Sequence, residues 1–204
     1  MSPRPQVDHI RKPQILEAAG AVIARRGVEA TRIADVAKAA GTSPPAVLYW
    51  FDSREQLLAE ALTFAEESFY EELAVRLAEL DDARDRLAAL IQSATVGEDW
   101  VLWIELWTRS LRDPELAAAR QRLDDRWRTE ISAIIVAGIE SGDFTVDDPE
   151  RATLELAAVI DGLAVQVALR DSSVSIEVMR AICIGVAERI VGAELDPRIE
   201  GVTA

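Results

Sequence analysis

Apolar residues in this chain return every three or four positions, and no stretch alternates apolar and polar residue by residue. That spacing lines one face of a helix, whereas a half-buried strand requires a period of two. Glycine, proline, serine and aspartate divide the pattern into about nine runs, so the expected fold is all-α. The first run, about 12–26, puts Ile15, Ala19, Val22 and Ile23 on one face and stops at Gly27. Ile33, Val36, Ala37 and Ala40 form a second, short run, with Thr31 as the expected N-cap and Gly41 as its end. Ser43 is expected to cap a third, with Pro44 at the first helical position, where a missing N–H costs nothing.

After Phe51 the chain turns at Asp52 and Ser53. A long helix then carries Leu58, Leu62, Ala65, Phe69, Leu73 and Leu77 and ends near Asp81. Further helices are expected at about 83–94, 100–112, 114–141, 149–170 and 175–191, with breaks at Gly97, Asp113, Gly142 and Asp171. The last two are apolar on more than one face and need cover on both sides. That cover is either the domain's own core or a second copy of the chain, and a homodimer is the expected arrangement.

Half of the 204 residues are apolar, enough for a sizeable core. No uncharged apolar run reaches a membrane-spanning length. Pro3, Arg4, Pro5, Asp8, Arg11 and Lys12 occupy the region where a signal peptide needs an apolar centre. A cytoplasmic protein without a membrane partner is therefore expected. The single cysteine, Cys183, has no second thiol for a disulfide or zinc site and reads as core.

Enzymatic chemistry is poorly served. The one histidine, His9, lies in a proline-bearing N-terminal arm, so neither a Ser/His/Asp triad nor a His-rich metal site can be built. No phosphate-binding loop of the G-x-x-x-x-G-K-[ST] kind occurs. Glu66, Glu67, Glu71 and Glu72 read as a solvated helix face. No catalytic residue, metal or cofactor is expected.

A net charge of −14 argues at first against a nucleic-acid partner. Its distribution reverses that inference. Residues 1–58 hold eight Lys/Arg against six Asp/Glu, whereas the remainder hold 14 against 30. The N-terminal segment thus reads as a separate unit with a different partner.

Two short helices joined through Ala40, Gly41 and Thr42 have the proportions of a helix-turn-helix. The residues around them carry more. Ile15-Leu16-Glu17-Ala18-Ala19, Arg26-Gly27, Thr31-x-Ile33-x-Asp35-Val36-Ala37, Ala40-Gly41-Thr42-Ser43, Tyr49-Trp50-Phe51 and Ser53-Arg54-Glu55-x-Leu57-Leu58 occur in this order. This run resembles the DNA-binding domain of the TetR family of transcriptional regulators. The resemblance implies a double-stranded DNA operator as partner, with Thr31, Ser43, Tyr49 and Arg54 at phosphates and Arg32 and Lys38 as further backbone contacts. Thr42, Pro44, Pro45, Ala46 and Tyr49 would meet base edges, beside Trp50. The commonest family pattern has Tyr where this chain has Leu48, and polar residues often stand where it has Pro44 and Pro45. Few side chains here can hydrogen-bond a base, so apolar contacts and shape would matter more.

Farther along, Trp103-x-Glu105-x-Trp107, Arg112-Asp113-Pro114-Glu115-Leu116, Trp127-Arg128, Gly142-Asp143-Phe144 and Asp161-Gly162-Leu163 resemble the C-terminal domain of the choline-responsive repressors of that family. This implies a small-molecule effector, held among the long helix and the helices at about 100–112, 114–141 and 149–170. Phe64, Trp100, Trp103, Trp107 and Trp127 lie there, as candidate pocket wall or as plain core. Asp161 and Gln166 are polar groups in an apolar helix that could orient a ligand or pair within the protein. The expected organisation is a DNA-binding domain at 1–52, an effector-binding and dimerisation domain at 53–192 and a tail at 193–204. A helical adaptor using the same apolar surface is the rival reading, and the Thr31–Leu58 motif argues against it.

Overall fold

The computed structural model describes residues 12–95, 100–112 and 114–196. Among them are nine helices and no strand: α1 (Lys12–Ala30), α2 (Ile33–Ala39), α3 (Pro44–Trp50), α4 (Arg54–Ala78), α5 (Ala83–Ala94), α6 (Trp100–Ser110), α7 (Pro114–Ser141), α8 (Pro149–Ala168) and α9 (Ile176–Val191). His9, the breaks at Gly97 and Asp113, and most of the C-terminal tail lie outside the described residues.

Most boundaries follow local chemistry. Ser43, Asp82, Asp148 and Ser175 each accept a hydrogen bond from a backbone N–H of the first turn, capping α3, α5, α8 and α9. Ser53 and Gln56 cap α4 between them: Gln56 N–H donates to Ser53 Oγ at 3.1 Å, and Asp52 N–H donates to Gln56 Oε1 at 2.7 Å. Thr31 does not cap α2. The N-cap is Arg32, which makes no side-chain cap bond, while the Thr31 hydroxyl is buried and donates to the Gly27 carbonyl at 2.8 Å. The first helix also runs past its expected stop: it kinks at Gly27 (φ 74°, ψ 161°) and resumes to Ala30.

The chain forms two compact units, residues 1–72 with 101–105, and residues 73–100 with 106–204. In the first, Ile15, Ala19, Ile23, Val36, Val47, Phe51 and Leu57 build a core that also takes Leu102 of α6. Arg26 and Asp35 pair at 2.8 Å between α1 and α2, and Lys12 and Glu60 pair at 2.5 Å between α1 and α4. In the second unit α5 is the central helix: Leu87 through Gln92 are all buried, and α7 and α9 pack against it. Packing of α8 on both α7 and α9 completes the layer. Cys183 is buried there as a free thiol.

Candidate DNA-binding face and effector site

The junction of α2 and α3 is shaped by its own backbone. Gly41 takes the left-handed conformation (φ 67°), its N–H donates to Lys38 O at 3.3 Å, and Thr42 N–H donates to Ala37 O at 2.8 Å. This paired arrangement is a Schellman motif, which satisfies the free carbonyls at the end of α2 and turns the chain sharply into α3. Ala46 and Val47 anchor α3 in the core.

That anchoring decides which residues face outward. At about 100° per residue, Pro44, Pro45, Leu48 and Tyr49 fall opposite Ala46 and Val47, and all four are exposed. Tyr49 reaches 70% exposure and stacks edge-on against Trp50 at 5.5 Å. Ala46, expected at a base edge, is instead buried, because it occupies the inward face of the helix. Leu48, 48% exposed, was not among the expected contacts. The register of α3 on the core, with Ala46 and Val47 inward, turns it out.

Arg32 and Lys38 stand exposed at opposite ends of α2. Arg54, at the start of α4, is engaged within the protein. Its Nε donates to Thr31 O at 2.7 Å, its Nη2 donates to Val28 O and Glu29 O, and its Nη1 lies 3.3 Å from Glu55 Oε1. These carbonyls close the C-terminal end of α1, where a guanidinium also complements the helix dipole. Three of its guanidinium hydrogen bonds thus go to the protein's own carbonyls.

The expected effector residues divide between the two units. Phe64 and Trp103, both half-buried, belong to the first, with Phe64 packed on its core. Trp100, Trp107, Trp127, Asp161 and Gln166 belong to the second. Trp100 Nε1 donates to Ala94 O at 2.9 Å, which uses this indole to close the end of α5. Trp107 buries its indole N–H without a hydrogen-bond partner among the described residues. Gln166 is exposed, five residues and so about 140° around α8 from Asp161, and the two do not share a face.

Asp161 is the outlying group. Its carboxyl lies half-buried on α8 and makes no hydrogen bond or ion pair among the described residues. Burial, and then the negative charge of Asp124 on α7, push its pKa up to about 6, against a partial offset from Arg128. Asp124 is itself raised by burial but is ion-paired with Arg120, so that cation is already engaged. The described residues contain no cluster able to hold a metal ion, and no helix among them is long and apolar enough to cross a membrane.

Residues 15–61 match the family of bacterial regulatory proteins of the tetR type, and residues 81–192 match the C-terminal domain of BetI-type transcriptional repressors. The HTH-type transcriptional regulator BetI of Rhizobium meliloti (strain 1021) is 24% identical over 86% of this chain and 86% of its own length. The BetI of Proteus mirabilis (strain HI4320) is 29% identical over 85% and 88%. Among solved structures, a putative transcriptional regulator from Saccharomonospora viridis in complex with choline superposes with a TM-score of 0.80 at 32% identity, covering 88% of this chain and 96% of that one. The cap chemistry, the Schellman turn and these matches agree: the chain is an effector-responsive transcriptional regulator of the TetR family, with a BetI-type C-terminal domain.

Proposed function

We propose that the protein represses transcription as a homodimer bound to a palindromic DNA operator and leaves that operator when a small organic cation of the choline type binds in its second unit. The observation carrying the effector class is Asp161. A half-buried carboxylate with no ion-pair partner is costly for the folded protein, and a ligand cation relieves that cost. Trp107, in the same unit, offers an indole for cation–π contact. Choline is the first probe because the Saccharomonospora viridis relative binds it.

On the DNA side, α3 is the recognition helix, and Arg32 and Lys38 supply phosphate contacts from exposed positions on α2. The dimer reading rests on α8 and α9. Leu154, Ala158 and Gly162 form an exposed stripe along α8 that Leu169 continues at its C-cap, and Val178, Ala181 and Ile182 form another on α9. Two packed helices presenting small and apolar residues to water constitute a surface that a second copy covers.

Calorimetric titration with choline, with the neutral isostere 3,3-dimethylbutan-1-ol, and with both against Asp161→Asn tests the effector reading. Choline should bind the parent protein, the neutral isostere should bind much more weakly, and Asp161→Asn should lose the distinction. Equal binding of the two compounds by the parent would remove the cationic reading while leaving the family assignment intact.

A further inference from the structure

We infer that Leu48, seconded by Pro45, reads the operator through the 5-methyl groups of thymines in the major groove. This deepens the assignment of α3 as the recognition helix and rests on it. The outward face of α3 holds Pro44, Pro45, Leu48 and Tyr49. Leu48 and Pro45 lie at its centre, most nearly opposite Ala46, Val47 and the half-exposed Trp50.

The polar inventory of this face is short. Neither proline carries an N–H, and Ser43 Oγ already accepts from Ala46 N–H at 3.4 Å. Tyr49 contributes one hydroxyl. No Arg, Lys, Asn or Gln occurs between Ala39 and Phe51, so the side chains that pair bidentately with guanine or adenine are missing from the turn and the helix. Base discrimination by hydrogen bonding is therefore nearly unavailable to α3.

Leu48 supplies the alternative. An aliphatic side chain left 48% exposed on a helix whose other large aliphatic, Val47, is fully buried has no partner in the chain's own core. The thymine methyl is the apolar group on the major-groove edge of the base pairs, and it is absent from cytosine and from uracil. Covering a methyl with a leucine removes apolar surface from water on both sides, which is worth about fourfold in affinity per methyl by the usual transfer value. A palindromic site presents the same thymine twice, for about fifteenfold in all.

The test is site selection from random duplexes with the full-length protein, followed by resynthesis of the selected operator with deoxyuridine replacing thymidine one position at a time. The expected result is a loss of about fourfold at one or two thymines of each half-site, rising to about fifteenfold when the symmetric pair is replaced. Leu48→Ala should bind the thymine operator more weakly and show no preference for thymine over uracil at that position. Unchanged affinity across every uracil substitution overturns the inference with the recognition helix left standing, and so does a Leu48→Ala protein that keeps the full preference. Failure to select any sequence overturns the recognition-helix assignment itself.

Discussion

A carboxyl raised to a pKa of about 6 opposes folding at neutral pH. In the unfolded chain Asp161 ionises near pH 4, so below that value both states hold the proton and no cost arises. Between pH 4 and 6 the unfolded state releases its proton first and stability falls with rising pH; above pH 6 the full cost, about 3 kcal/mol, is present. Asp161→Asn should therefore raise the melting temperature at pH 7.5 and change it little at pH 4, as read by differential scanning calorimetry. The same ionisation governs the proposed effector. A cation binds the carboxylate form, so choline affinity should fall about tenfold per pH unit below pH 6 in the parent and stay flat in Asp161→Asn. Arg54 makes a second residue-scale case. Its fork ties the start of α4 to three carbonyls at the end of α1, and Arg54→Ala should cost about 2 kcal/mol in urea unfolding. Lysine at this position should recover little, because one ammonium cannot span those acceptors. Operator binding by Arg54→Ala should keep the parent's salt dependence, whereas Lys38→Ala should lower the slope by about one per protomer.

At the scale of elements, the kink of α1 has no equivalent substitute for glycine. Gly27 combines φ 74° with ψ 161°, a region that side-chain-bearing residues seldom enter, and an added Cβ would stand 2.9 Å from Glu105 Oε1 of α6. The backbone strain alone is about 1–3 kcal/mol. Gly27→Ala should lower the chemical-denaturation midpoint by a corresponding amount, and Glu105→Ala should relieve only the steric share. A double-mutant cycle separates the two contributions. The kink also shows why Thr31 is not a cap: the extra turn of α1 to Ala30 carries Thr31 back over Gly27, where its hydroxyl closes the helix it follows instead of the helix it precedes.

For the whole molecule, the proposed dimer and the operator stand or fall together, since two half-sites require two recognition helices. Ile182→Glu places a charge in the exposed apolar stripe of α9. The variant should sediment as a species of about 22 kDa while the parent sediments at twice that mass, and it should lose operator affinity without touching α3. A parent protein that sediments as a monomer at micromolar concentration would remove the proposed interface.

Helix number, order and most caps are local properties. A serine before a helix, a proline in its first turn and a glycine after its end act within four residues, so Ser43, Pro149, Ser175 and Gly142 could be placed by reading along the chain. The three- and four-residue spacing of apolar positions likewise predicted the core of the DNA-binding unit, from Ile15 to Leu58. Side-chain commitments across the chain are different in kind. Arg54 meets carbonyls 23 to 26 positions earlier, and Ala46 turns inward while Leu48 is left outward because α3 docks in one register on α2. The burial of α5 was not legible either: Arg84, Asp85 and Arg86 open it as an ordinary surface helix, and it becomes central only because α7 and α9 close around it. The sequence determined which segments are helical and where they turn, since those energies arise between near neighbours. Which side of each helix is spent on the core and which remains for DNA or effector was decided by tertiary packing, because that choice is a competition among distant surfaces for the same buried contact.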